Sequence, residues 1–394
     1  MSSKESSSNY FLSQPHQPFF TLALLNAVIF MLLFMLSYKG ILLLNLSPLK
    51  LHVYSLIFLV FNNVFTGFLF TTFPRFTAST AISYGFYRAI FFINLLATAL
   101  FIVGLFLSSY TLYFSMLTLA ISQLFVLHKL YRTQQVGKAK TQDTIFILIA
   151  YSFGATGHLL FLLCEIWVDL DRFAILLSFY MFVIFLTFSI AQRMVPFFSH
   201  SIAQRDERFL NTILVLFVLK LTLFMLDGFT VAIVSMIILD IILALYMTGE
   251  FLRWKLPLFT SSSILWVLYL GLFWLPAALM FSALSSTLEL FFDLTFTLID
   301  THLLAIGFLT TIFIGFATRV TLGHSGEAPY ADRFTTNLFW LIQVIVIMRA
   351  LYGLSTALEL ELGFLFDISA TLWIMLFVLW GYKYGKILIF GVKR

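Results

Sequence analysis

Histidine is the side chain in this sequence with the widest chemistry, and its placement is uneven. Seven are present. Three of them, His52, His158 and His302, fall inside long apolar stretches, where an ionisable group is costly and marks a functional candidate. Two imidazoles on facing helices can ligate a haem iron from both sides, and imidazole is also the usual ligand of copper. The alternative is that each hydrogen-bonds to a neighbouring helix, as buried polar groups do. His16 lies in a polar N-terminal segment, His128 at the end of an apolar stretch, and His200 and His324 in connections. Lys220, Asp240 and Arg349 are also intramembrane charges by position. Lys220 can snorkel to the surface. Asp240 can pair with Arg349 or carry protons, and a structural pair is the simpler expectation.

The elements that must position these groups follow from composition. The 394 residues are 61% hydrophobic and 10% charged, against about 45–50% and about 25% in a soluble domain. Lipid must therefore be the solvent. The one cysteine, Cys164, excludes an internal disulfide and any Cys-rich zinc or iron–sulfur site. The net charge of +5 is too modest to suggest nucleic-acid binding. Residues 1–18 are polar and expected to form a short cytoplasmic tail. Residues 19–394 are expected to form a single membrane domain.

Apolar runs of spanning length recur at 19–38, 51–73, 86–107, 109–130, 144–166, 173–192, 209–226, 229–249, 261–283, 296–318, 335–356 and 366–390. The fold class is therefore an all-α polytopic membrane protein with about twelve spans. With the N-terminus inside, 18 of the 23 Lys and Arg residues fall on the inner side. They include Lys4, Arg75, Lys129, Arg193, Arg205, Arg319, Lys393 and Arg394. The outer connections hold acids instead, among them Glu165, Asp171 and Glu359. This is the positive-inside asymmetry, with both termini cytoplasmic.

Depth and facing refine the candidates. At 1.5 Å per residue, His52 and His302 enter spans 2 and 10 from the outside. His158 lies roughly 20 Å up span 5 from the inside. All three share the outer half. On span 2, His52, Ser55, Asn62, Asn63 and Thr66 fall on one side at helical spacing. On span 5, Tyr151, Gly154, Ala155 and His158 do the same, and small residues there permit close approach of a helix or a flat ligand. Spans 2, 6 and 10 each end near an arginine, Arg75, Arg193 and Arg319. The 118- and 126-residue intervals correspond to four helices each and suggest three four-helix units.

Three stretches carry a resemblance. His52-Val-Tyr-Ser-Leu-Ile-Phe through Gly67-Phe-Leu-Phe-Thr-Thr-Phe-Pro74-Arg75-Phe76 resembles the second helix of the NnrS family. Arg193-Met-Val-Pro-Phe-Phe198 is also similar to that family. So is His302-Leu-Leu-Ala-Ile-Gly307 through Ala317-Thr-Arg319-Val-Thr-Leu-Gly323-His324-Ser-Gly326, the most specific of the three. The resemblance implies a haem- and copper-associated membrane protein linked to nitric oxide response and denitrification. A more distant resemblance is to the main subunit of haem–copper oxidases, with twelve helices in three arcs and a low-spin haem between histidines of helices 2 and 10.

The departures are specific. Where NnrS proteins usually have a second His and then a Glu, this chain has Tyr54 and Ser55. The oxidases also need a second ligand on helix 10 and three copper-binding histidines on helices 6 and 7, which are missing here. The expectation is one haem with His52 and His302 as axial and metal ligands. His158 is a reserve ligand or a contact to a propionate or copper. The expected partners are lipid, haem and a redox partner, with no nucleic acid. The location is a bacterial-type inner membrane. The competing reading is a secondary transporter with a mid-membrane polar site at Asn62, Asn63 and Asp240.

Overall fold

The computed structural model describes residues 10–164, 166–201, 203, 206–256 and 261–392. Lys4, Glu165, Arg205, Lys393 and Arg394, used in the charge argument, lie outside the described residues. The described chain is helical, without strands. Eleven helices are long and apolar enough to cross a membrane: α1 His16–Tyr38, α2 Pro48–Phe76, α3 Tyr84–Leu107, α4 Ser109–Val136, α5 Gln142–Leu163, α6 Val168–Phe198, α8 Thr230–Arg253, α9 Ser263–Phe292, α10 Ile299–Ser325, α11 Arg333–Ala357 and α12 Phe364–Phe390. Between α6 and α8 lies a shorter apolar helix, α7, Phe209–Met225. Each expected span thus corresponds to a helix, and the protein is a polytopic α-helical membrane protein. Large apolar side chains such as Leu96, Val103, Phe114, Leu245 and Val378 stay exposed along these helices, as a lipid-facing surface requires.

Two compact units divide the chain. One comprises residues 1–178, 321–327 and 377–394, and the other comprises 179–320 and 328–376. In the first, α1 packs along α2, and α3 and α4 form a tight antiparallel pair with α5 against α4. In the second, α8 packs on α9, and α9 and α11 pack on α10. From Tyr10 on, the N-terminal segment is more ordered than its polarity suggests. Tyr10–Leu12 form a helical turn, and the Tyr87 hydroxyl donates to the Leu12 carbonyl at 2.7 Å. His16 opens α1 and is buried.

Three helices are set apart from the rest. In α2, α6 and α10, 89%, 78% and 83% of the most apolar stretch is buried, against 39–61% in the other long spans. Each contains a π-helical segment, Ser55–Phe61, Leu177–Ile184 and Leu303–Thr310, as α12 also does at Gly381–Gly385. Each also ends in the same capping turn. The Ser79 N–H donates to the Pro74 carbonyl, Ser201 to Pro196 and Glu327 to Leu322. The residue between is left-handed in each case, Ala78, His200 or Gly326, as a six-to-one helix C-cap demands. The π segment starts 19 residues before the capped carbonyl in all three helices. This register sets the repeat at 122 and 126 residues, from Pro74 to Pro196 to Leu322. Arg193 and Arg319 are equivalent in it, whereas Arg75 sits four positions further along, so the arginines alone gave the first interval four residues short.

Candidate cofactor site

A π-helical turn shifts the hydrogen-bond ladder by one residue and often accompanies functional sites. In α2 it leaves the Leu59 carbonyl to side chains, and Asn26 Nδ2 and Asn63 Nδ2 both donate to it at 2.8 Å. In α10 the Thr310 and Thr311 hydroxyls reach back five residues, to Ala305 at 2.8 Å and Ile306 at 3.3 Å. His52 lies three residues before the first segment and His302 immediately before the other.

His302 occupies the first turn of α10. Its Nδ1 lies 2.8 Å from the carbonyl of Leu298. A carbonyl only accepts, so Nδ1 carries the proton and Nε2 carries the lone pair. The Leu298 carbonyl is aimed there by a left-handed backbone, φ 48° and ψ 39°, a strained conformation for a bulky residue that marks functional positions. An imidazole oriented through Nδ1–H to a backbone carbonyl is the usual preparation of a metal-binding histidine. Gly307, inside the π segment, faces the Trp274 ring so closely that a Cβ would stand 2.8 Å from it.

His52, in the first unit, is half-buried with its ring 4.2 Å from Phe34. His158 is fully buried, and both its nitrogens are engaged. Nε2 is 2.7 Å from the Tyr54 hydroxyl and Nδ1 is 2.8 Å from Gln123 Oε1. Phe58 stacks on its face at 4.0 Å. The Tyr54 bond ties His158 to the turn of α2 that carries His52. The reserve-ligand role for His158 requires breaking two buried hydrogen bonds, and the chemistry of its setting is that of a core histidine.

The polar stripe of α2 is also satisfied internally. Tyr151 OH donates to Asn62 Oδ1 at 2.9 Å and is 3.2 Å from Thr66 Oγ1. Asn94 Nδ2 donates to Asn63 Oδ1 at 2.9 Å, and Ser122 Oγ donates to Asn94 Oδ1 at 2.5 Å. In the second unit Lys220 Nζ grips both oxygens of Asp240, at 2.6 and 2.7 Å, with both side chains 1% exposed. Lys220 thus does not snorkel outward. Asp240 pairs with it and not with Arg349, whose guanidinium instead donates to the Thr297 carbonyl at 3.3 Å. The pairing follows from α7 and α8 being adjacent helices. Among the described residues no three His, Cys, Asp or Glu side chains gather as a metal-binding group. Sequence reasoning missed the Leu298 carbonyl, because no residue type there signals a left-handed turn.

The fold and these sites define a multi-pass helical membrane protein in which two of the three most buried helices carry a histidine just before a π-helical segment. The family described as NnrS protein matches residues 10–390, nearly the whole chain, and the protein belongs to that family. No curated protein matches the chain.

Proposed function

We propose that this NnrS protein binds one haem through His302 and His52 and serves haem-linked electron transfer or nitric oxide response in a bacterial inner membrane, with both termini cytoplasmic. The observation that carries the reading is the Nδ1–H bond of His302 to the left-handed Leu298 carbonyl, which presents Nε2 as the basic nitrogen. When bound, haem supplies a one-electron iron couple. The chain supplies the oriented imidazole of His302, the half-buried His52 beside Phe34 and an apolar surround that lowers the dielectric. The groups that a transporter would use, Asn62, Asn63 and Asp240, already have intramolecular partners, which favours a structural role for them.

The test is the absorption spectrum and metal content of protein produced with ample haem. The expected result is a Soret band and one iron per chain. A colourless, iron-free protein would falsify the reading.

A further inference from the structure

A second histidine cluster lies in the first unit, apart from the groups assigned to haem. His16, 2% exposed, places its ring 4.8 Å from that of His324 in the last turn of α10, inclined at 45°. Phe20 approaches the His16 ring edge-on at 5.9 Å. Gly67 of α2 makes room for this end of α1, since a Cβ there would meet Phe19 Cβ at 2.8 Å and His16 Cα at 3.3 Å. His16 Nδ1 is buried without a hydrogen-bond partner, and so is Thr321 Oγ1, three residues before His324 and so its neighbour along the helix. The Arg75 guanidinium is within electrostatic reach of both imidazoles. Among the described residues Arg75 makes no ion pair.

The chemistry of this set has a sign. Imidazole, hydroxyl and guanidinium all donate hydrogen bonds, and the first N–H groups of α1 add the positive end of a helix. The one carboxylate of the 321–327 segment, Glu327, is exposed. A cation would find two imidazoles, no third ligand of the usual kind and a guanidinium nearby. Buried groups able to donate and lacking partners, beside a positive charge, suit an anion. We propose that His16, Thr321, His324 and Arg75 form a site for one oxyanion of the phosphate class, as a free anion or as the phosphate of an anionic lipid headgroup.

The test uses the full chain, purified in detergent and delipidated. Inorganic phosphate is titrated against thermal unfolding, with sodium chloride at matched ionic strength as the reference. A second arm measures retention of phosphatidylglycerol against phosphatidylcholine by native mass spectrometry. Saturable stabilisation by phosphate supports the free anion, and selective retention of phosphatidylglycerol without it supports the headgroup. In either case Arg75→Gln, at an exposed position, should weaken binding about tenfold or more, as loss of a charge-assisted bond does. His324→Asn and Thr321→Val should weaken it in the same direction. The proposal is overturned if neither probe binds, or if Arg75→Gln responds as the wild type does. Stoichiometric copper or zinc binding that disappears in His16→Asn and His324→Asn also overturns it.

Discussion

At the scale of single residues, the buried polar groups divide into those that hold the fold and those poised to bind. Lys220 and Asp240 belong to the first kind. Their attraction offsets a large desolvation cost only while both are present. Lys220→Met should therefore destabilise the protein by about 3–5 kcal/mol, while Lys220→Met with Asp240→Leu should recover most of that loss. Reversible unfolding in mixed micelles measures both, and equal losses in the single and double variants would refute the pairing argument. Tyr54→Phe removes the hydroxyl at His158 Nε2 and should cost about 1–3 kcal/mol without altering any haem spectrum. A changed spectrum would instead give His158 a place at the cofactor. The intramembrane location of these groups could be read from residue type alone. Their partners could not, because Lys220 and Asp240 meet only once α7 and α8 pack side by side. The buried state of His16 was hidden by the serines and other polar residues around it.

At the scale of the helices, hydropathy located all twelve, since a lipid-facing helix must be apolar throughout, but α4, α6, α9 and α10 run six to nine residues past the end of the apolar stretch. The π segments left no such mark. They arise where the ladder of α2, α6 and α10 is shifted by one residue, and Leu59, Ala305 and Ile306 carbonyls receive side-chain donors in place of regular ones. In the common register His302 corresponds to Tyr54 and His52 to Asp300, so the helices share a frame but place different chemistry in it. Deleting one residue within Leu303–Thr310 should convert the segment to regular α-helix and remove the wide turn below His302. Loss of haem with membrane insertion retained is the expected outcome, read by spectrum and by membrane fractionation. Full haem retention would show that the π segment does not set the position of His302.

At the scale of the whole molecule, the proposed orientation rests on the asymmetry of Lys and Arg. It would put the connection after α10 in the cytoplasm and the one before it outside. Cys164 is buried, so single cysteines introduced at exposed Pro329 and Thr295 report cleanly. A membrane-impermeant thiol reagent added to whole cells should label Thr295→Cys and spare Pro329→Cys; the reverse pattern would invert the topology. Haem ligation by His302 and His52 is tested most directly by the reduced-minus-oxidised spectrum of the His302→Ala and His52→Ala proteins beside the wild type. A low-spin bis-imidazole spectrum is expected in the wild type and lost in both variants, with each variant still inserted because the apolar spans drive insertion. An unchanged bis-imidazole spectrum in both would contradict that ligation.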